Sequence, residues 1–408
     1  RESVFQMLGI AEEEEPLETI ALLPRESLNS TILDPWTKRR IEASPVHTQF
    51  TLRKREKELR VYGVPQWLAQ PEHIFDDIWW STAASPTPRD GIAGKHIVLD
   101  PGHIGGPHWD SVTGKYIRDI DGRQLSEGLL AIQWAMLMKE ELTAAGAKVT
   151  IIHEDFAPLT TIDYPSFDLK PWGDQTFLTS WMSDWFQCRL GAGEVGSSDL
   201  LRAFQNSRER QALYQERMRY SYFLHDIELG ERARAIHVAK PDLFLALHMD
   251  VSVTESNPHG VVEMPVNQVK SYVPGGFEKE DWASRENRVL IPWHTFSATH
   301  WDESVRLSRL VTHSIRDRLA IPLQTRHGPN GLFVEPGVFA RNLHLSRKVL
   351  EAPIAYVEGL FYNQRAEFEA LSTSDGQTVR IGGQAYPTSV RLRALAHAVS
   401  QGVAEFFE

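Results

Sequence analysis

The chain has 408 residues, 42% of them hydrophobic and 24% charged, with a formal net charge of -11 and a sequence pI near 5.8. That is the composition of an ordinary globular protein of one large or two smaller domains, and it excludes global disorder and a general nucleic-acid binder. Cys188 is the single cysteine, so no intramolecular disulfide or cysteine-rich zinc knuckle can form and any metal site must use His, Asp and Glu.

Residues 1–93 form an N-terminal extension or small subdomain of their own texture. An acidic run spans Glu12 to Glu15, basic clusters lie at Lys38–Arg40 and Arg53–Arg60, and SPTPRDG closes the segment before Lys95. No apolar run approaches the roughly 20 residues a transmembrane helix needs. The chain starts at Arg1 without an initiator Met or a secretory apolar region, which suits an export signal removed before residue 1.

From Lys95 the pattern alternates strand and helix. IVLDPGH predicts a strand at 96–100, buried on both faces and stopped by Pro101 and Gly102, with His103 just beyond its end. SEGLLAIQWAMLMKEELTAAG predicts a helix with Ser126 as N-cap, Glu127 in its first turn and Gly146 past its end. AKVTIIHED is the next strand, and this βαβ order predicts a parallel pair with a right-handed crossover.

The alternation breaks from Phe156 to about Leu229 and resumes with the helix ELGERARAIHVAK and the strand Leu243 to Leu247, which delivers His248 and Asp250. The strand GVVEM precedes an insertion at 265–300, followed by a helix at 303–319. The strand PIAYVEG delivers Glu358, and helices near 364–371 and 388–406 close the chain. The expected fold is α/β: a twisted, mostly parallel sheet with helices on both faces, an N-terminal extension, and a catalytic domain at 94–408 with insertions at about 157–228 and 265–300.

Open α/β sheets place their chemistry beyond the carboxyl ends of the strands. Here three strands end in His103, His248 and Glu358, and Glu127 opens the intervening helix. Two histidines and a carboxylate are a catalytic-zinc ligand set, and a further carboxylate is the usual proton shuttle. The sequence separation of the four is not itself diagnostic, and Glu127 also reads as a favourable charge at a helix N-terminus.

The stretches HIVLDPGHIGG, Glu127 opening a helix that ends TAAGAKVTII, ERARAIHVAKPDLFLALHMD, and RNLHLSRKVLEAPIAYVEGLFYNQRAEFEAL together resemble the zinc-dependent N-acetylmuramoyl-L-alanine amidases of bacterial peptidoglycan. The resemblance is ordered and covers most of residues 95–408 outside the insertions. It implies that His103, Glu127 and His248 bind Zn2+, that Glu358 is the catalytic carboxylate, and that the bond cut joins N-acetylmuramic acid to the L-alanine of the stem peptide. Arg341, Asn342 and Asn363 fall on recurrent motif positions and are candidates for substrate binding or for bracing the loops around Glu358.

The same resemblance implies peptidoglycan as partner, a possible activator protein, and a periplasmic or secreted location. Asp250 and Val251 depart from it, standing where the family has an asparagine and a small residue. Asp250 reads either as orienting a ligand histidine or as a surface group. In the first insertion Tyr164, Phe167, Trp172, Phe177, Trp181, Trp185 and Phe186 read as a local core or as a stacking wall for sugar rings. The second, with Trp282, Trp293, His294 and His300, is a candidate lid or an ordinary loop. The rival functions are another wall-directed zinc hydrolase, a peptidase or deacetylase, and a non-catalytic amidase-like wall-binding module.

Overall fold

Ile97, Val98 and Leu99 have no solvent exposure at all, and the same holds for Leu243 to Leu247. Runs of this kind can only be central strands covered on both faces, and they organise the rest of the chain. The computed structural model describes residues 52–55, 58–61, 89–113, 115–161, 222–251, 260–262, 267–274, 300–325, 331–341, 343–346, 349 and 352–408.

In chain order the elements are β1 (Leu52–Arg55), β2 (Glu58–Val61), β3 (His96–Pro101), α1 (Pro107–Thr113), β4 (Tyr116–Arg118), β5 (Gln124–Ser126), α2 (Glu127–Ala144) and β6 (Lys148–Ile151). A π-helical segment, Tyr222–Glu228, runs into α3 (Leu229–Ala239), followed by β7 (Leu243–Asp250), β8 (Lys270–Val273) and α4 (Trp301–Leu319). The chain finishes with β9 (Leu332–Glu335), β10 (Val338–Ala340), β11 (Ile354–Phe361), α5 (Arg365–Ser372), β12 (Thr378–Ile381), β13 (Gln384–Pro387) and α6 (Val390–Phe406).

Seven strands form one sheet in the order β6-β3-β7-β11-β8-β10-β9. The first four are parallel to one another, β8 is antiparallel to β11 and parallel to β10, and β9 is an antiparallel edge. The fold is therefore α/β with a mostly parallel sheet. Alternate residues sort the two faces. Ile97, Leu99, Leu245, Leu247, Ala355 and Val357 pack with apolar residues of α2, α4 and α6, while Val98, Phe244, Ala246 and Ile354 pack with Ala233 and Ile236 of α3. Helices thus cover both faces.

Local chemistry fixes the helix that opens the site. Ser126 Oγ accepts from the Leu129 N–H at 3.1 Å as the N-cap of α2 and itself donates to Asp110 Oδ1 at 2.6 Å. Gly146, at φ 93°, takes the left-handed turn past the end of α2.

The second expected insertion differs in part from what is found. Residues 270–273 lie inside it, yet they form β8, a buried strand hydrogen-bonded between β11 and β10. KSYV is too short and too polar at its first position to announce a core strand. Of GVVEM, the described residues 260–262 show isolated bridges at Gly260 and Val262. Most of 157–228, with its aromatic series, lies outside the described residues, as do 275–299 and most of 1–93 apart from the β1–β2 pair.

Candidate metal centre

The three expected ligands come from three different elements and meet at one point. His103 follows the end of β3, Glu127 is the first residue of α2, and His248 is near the end of β7. Their donor atoms all lie within 4.8 Å of one another. Glu127 Oε1 is 3.2 Å from His103 Nε2 and 3.2 Å from His248 Nδ1, and it also accepts the Met249 N–H at 3.3 Å. The two imidazoles meet edge to face with ring centres 4.8 Å apart.

The backbone beneath His103 is under constraint. His103 has φ 63°, a left-handed conformation unusual for a residue with a β-carbon. Gly102 before it packs against the His248 ring so closely that an added Cβ would sit 2.5 Å from ring atoms. Only glycine admits that approach.

A buried arginine holds this turn. Arg232 of α3 is 1% exposed and donates through Nη1 to Asp100 Oδ1 and Pro101 O, both at 3.0 Å, and through Nη2 to His103 O at 3.1 Å. Its Nε donates to Glu228 Oε1 at 3.0 Å, and Glu228 Oε2 accepts the Thr160 N–H. One rigid guanidinium fork thus fixes Asp100, Pro101 and the strained His103 itself. Replacing Arg232 with Met leaves Asp100 and Glu228 buried without their cation. The expected loss is about 3–5 kcal/mol in urea unfolding; a loss below about 1 kcal/mol would mean the fork does not brace the turn.

His153 supports the same turn from β6's side, with Nε2 2.9 Å from Pro101 O. Burial, reinforced by the Arg232 charge, pushes its pKa down to about 3. A histidine kept neutral in the fold contributes stability above its ordinary pKa of 6.5, and that stability is lost as pH falls from 6.5 toward 3. His153→Gln is expected to flatten the fall in melting temperature over that window; an unchanged slope would remove His153 as its source.

Glu358 stands in register with His248 on its β7 side and with Lys270 on its β8 side. It is half-buried, and its Oε2 is shielded from solvent with no hydrogen-bond partner. Burial first, then the Asp250 and Glu127 charges, push its carboxyl up to about 8 against the opposing pull of Lys270. Lys270 Nζ contacts Asp250 Oδ2 at 2.5 Å, spanning β11 from β8 to β7. Although burial disfavours its charge, Asp250 holds the ammonium above its ordinary pKa. Asp250 therefore pairs with Lys270, a partner that sequence reasoning missed because β8 lay hidden in the presumed insertion.

The aromatic floor is continuous with this row. Tyr356 stacks on His248 at 4.2 Å and meets Tyr272 edge-on at 6.2 Å. Arg341 is half-buried beyond β10, with its guanidinium 5.9 Å from the Tyr272 ring centre. Asn363 is fully buried at the end of β11, donates to Gly260 O at 3.4 Å, and its carbonyl accepts the Val262 N–H at 2.8 Å. It ties the segment after β7 to the end of β11. Asn342 lies outside the described residues.

The donor set suits a divalent cation. Burial alone would raise the Glu127 carboxyl, but the two histidines pull it well below its ordinary value, so it is ionised. Burial lowers His103 to about 4 against the pull of Glu127, so its ring is neutral at pH 7. An ionised carboxylate and a neutral imidazole are the forms that coordinate a metal.

No protein-family model and no curated protein matches the chain. Several solved structures are similar to it. The CwlD amidase of Clostridioides difficile, in complex with the GerS lipoprotein, is 12% identical with TM-score 0.38, covering 77% of this chain and 98% of that one. The N-acetylmuramyl-L-alanine amidase Ami1 of Mycobacterium smegmatis is 13% identical with TM-score 0.41, covering 78% and 99% respectively. The amidase AmiC2 of Nostoc punctiforme is 11% identical with TM-score 0.36, covering 77% and 98%. The solved structures named here as similar to this chain are all amidases, two of them described in full as muramoyl-alanine amidases.

Proposed function

We propose that the chain is a zinc-dependent N-acetylmuramoyl-L-alanine amidase, hydrolysing the amide between the lactyl group of N-acetylmuramic acid and the L-alanine of the peptidoglycan stem. The observation that carries this reading is the convergence of His103 Nε2, Glu127 Oε1 and His248 Nδ1 within 4.8 Å, with the unpartnered Glu358 oxygen in register on the next strand. In this reading His103, Glu127 and His248 hold Zn2+, and three protein ligands leave a position open for chemistry.

The chemistry such an ion supplies is polarisation of the amide carbonyl and acidification of water. The chain's own residues do the rest. Arg232 and Gly102 keep His103 and His248 at ligating distance, and Tyr356 fixes the His248 ring plane by stacking. In its ionised form Glu358 accepts the proton of the attacking water on its unpartnered oxygen and returns it to the departing amide nitrogen, so that the stem peptide leaves as a free amine. Lys270 keeps two neighbouring carboxylates, Asp250 and Glu358, from facing each other uncompensated. Asn363 braces the β11 end, and Arg341 faces the substrate.

Peptidoglycan is then the substrate, the location is periplasmic or secreted, and an activator protein is a possible partner. No helix among the described residues is long and apolar enough to cross a membrane. The deciding experiment joins metal analysis of the purified protein to mass spectrometry of material released from peptidoglycan. About one zinc per chain with intact stem peptides released supports the amidase. Shortened stems point to a peptidase, released acetate to a deacetylase, and zinc-free protein that only sediments with the wall to a binding module.

A further inference from the structure

Between His103 and Glu127 the chain makes an excursion through α1 and the β4–β5 hairpin before it returns to the cluster. Two contacts hold the ends of that excursion together. The first is backbone on backbone. A Cβ added at Gly105 would sit 2.6 Å from the Leu129 nitrogen, and one added at Gly128 would sit 2.5 Å from the Gly105 nitrogen, so the turn after His103 lies directly on the first turn of α2. The second is a side-chain bond. Asp110, whose N–H donates to Gly106 O at 2.9 Å, accepts the Ser126 hydroxyl at 2.6 Å, and Ser126 is the residue immediately before Glu127.

Capping α2 does not by itself require Asp110. The cap uses a lone pair of Ser126 Oγ to accept the Leu129 N–H, which leaves the hydroxyl proton to find another partner. Here both residues are buried, Asp110 5% and Ser126 7% exposed, and a carboxylate takes that proton. The carboxylate is poorly served by its surroundings. Burial pushes it up to about 6 although hydrogen bonds with Ser126 and Gln124 pull the other way, and among the described residues no cation acts on it. An acid whose pKa is raised by folding lowers stability at pH values above that pKa, so stability of the fold does not account for Asp110.

Geometry accounts for it better. A hydroxyl engaged on both sides, by the Leu129 N–H and by Asp110, has one orientation, and it fixes the start of α2. From the first residue of that helix the Glu127 carboxylate reaches His103 and His248, each at 3.2 Å. Because Asp110 is itself held by Gly106 O, the turn that carries His103 and the helix that carries Glu127 are set against each other by two hydrogen bonds.

We propose that Asp110 is a positioning residue of the metal centre: by holding the Ser126 hydroxyl it sets Glu127 against His103 at ligating distance. The inference rests on reading His103, Glu127 and His248 as metal ligands, and not on which bond is cut. Its test is metal binding, independent of turnover. Zinc would be titrated calorimetrically into metal-stripped wild type, Asp110→Ala, Asp110→Asn, Ser126→Ala and the Asp110→Ala/Ser126→Ala double variant. Visible spectra of the cobalt forms and urea midpoints of the metal-free proteins at pH 8 would be recorded alongside.

Asp110→Ala is expected to lower zinc affinity about tenfold or more and to shift the visible bands of the cobalt form. Asp110→Asn, which keeps an acceptor oxygen, should recover part of that affinity. The double variant should bind no more weakly than the weaker single one, because the effect runs through Ser126. The metal-free urea midpoint of Asp110→Asn is expected to equal or exceed that of wild type, the opposite of what a purely structural role gives. Affinity within about twofold of wild type in Asp110→Ala, losses that add in the double variant, or a lowered midpoint in Asp110→Asn overturns the proposal. Wild type that takes up no zinc overturns the metal reading itself, a result distinct from wild type and Asp110→Ala binding zinc alike, which overturns the proposal alone.

Discussion

Glu358→Gln is expected to lower kcat for release of stem peptides by about 10²–10⁴-fold while zinc content and binding to peptidoglycan stay at wild-type levels. Glutamine keeps the volume and one carbonyl acceptor, so the packing of β11 between β7 and β8 is undisturbed. What it removes is the capacity to carry a proton. Glu358 Oε2 is shielded from solvent and has no hydrogen-bond partner, an arrangement costly for a structural carboxylate and suited to one that receives a proton during a reaction. Single-turnover release on isolated cell walls, with zinc measured on the same sample, gives the result directly. Activity within a few fold of wild type would assign the proton transfer to another group.

Chelation is expected to abolish release completely and zinc to restore it, and loss of any one ligand should mimic the chelator. Glu127→Ala is the most informative of these. Its Oε1 sits 3.2 Å from both histidines, so the substitution removes a ligand and the charge that draws both rings together. Metal affinity is expected to fall by at least about 100-fold, more than the 10–100-fold typical of residues behind the ligands. The zinc-loaded protein should also outlast the chelated form on heating, by about 4 kcal/mol when free zinc is 1,000 times its dissociation constant. Chelator-resistant release, or zinc retained by Glu127→Ala at wild-type affinity, would separate the cluster from the chemistry. Read together with Glu358→Gln, the two experiments distinguish loss of the metal from loss of the proton carrier.

The rim around Glu358 carries a charged pair that the sequence alone did not announce. The structure pairs Asp250 with Lys270 across β11. Two neighbouring carboxylates, Asp250 and the half-buried Glu358, disfavour each other's ionisation, and the Lys270 ammonium offsets that repulsion. Asp250 and its counter-ion come from strands 20 residues apart in sequence, which explains why the sequence offered Asp250 only as a histidine-orienting group or a surface group.

Much of the architecture was legible in the residues themselves. β3, β7 and β11 have central residues covered on both faces, so their sequences carry nearly uninterrupted apolar runs, and the polar residues that follow those runs stand out as His103, His248 and Glu358, although β7 and β11 continue past theirs to Asp250 and Phe361. α2 carries its own start and stop signals in Ser126 and Gly146, which placed Glu127 at a helix mouth. Short or edge elements carried no such signal. β4, β5, β9, β10, β12 and β13 have three or four residues each, and β8 begins with a lysine. Their strand character comes from neighbours supplied by distant parts of the chain rather than from intrinsic preference.

The sequence by itself determined the α/β alternation, the central strands and the residues delivered at their ends, because burial on two faces and helix capping are local consequences of side-chain chemistry. Only the tertiary structure decided that His103, Glu127 and His248 share one point, that Arg232 braces the turn beneath them, and that Lys270 stands opposite Glu358 and pairs with Asp250. Those relations are distances between elements far apart in the chain, set by strand order and register, and neither order nor register is written in any single segment.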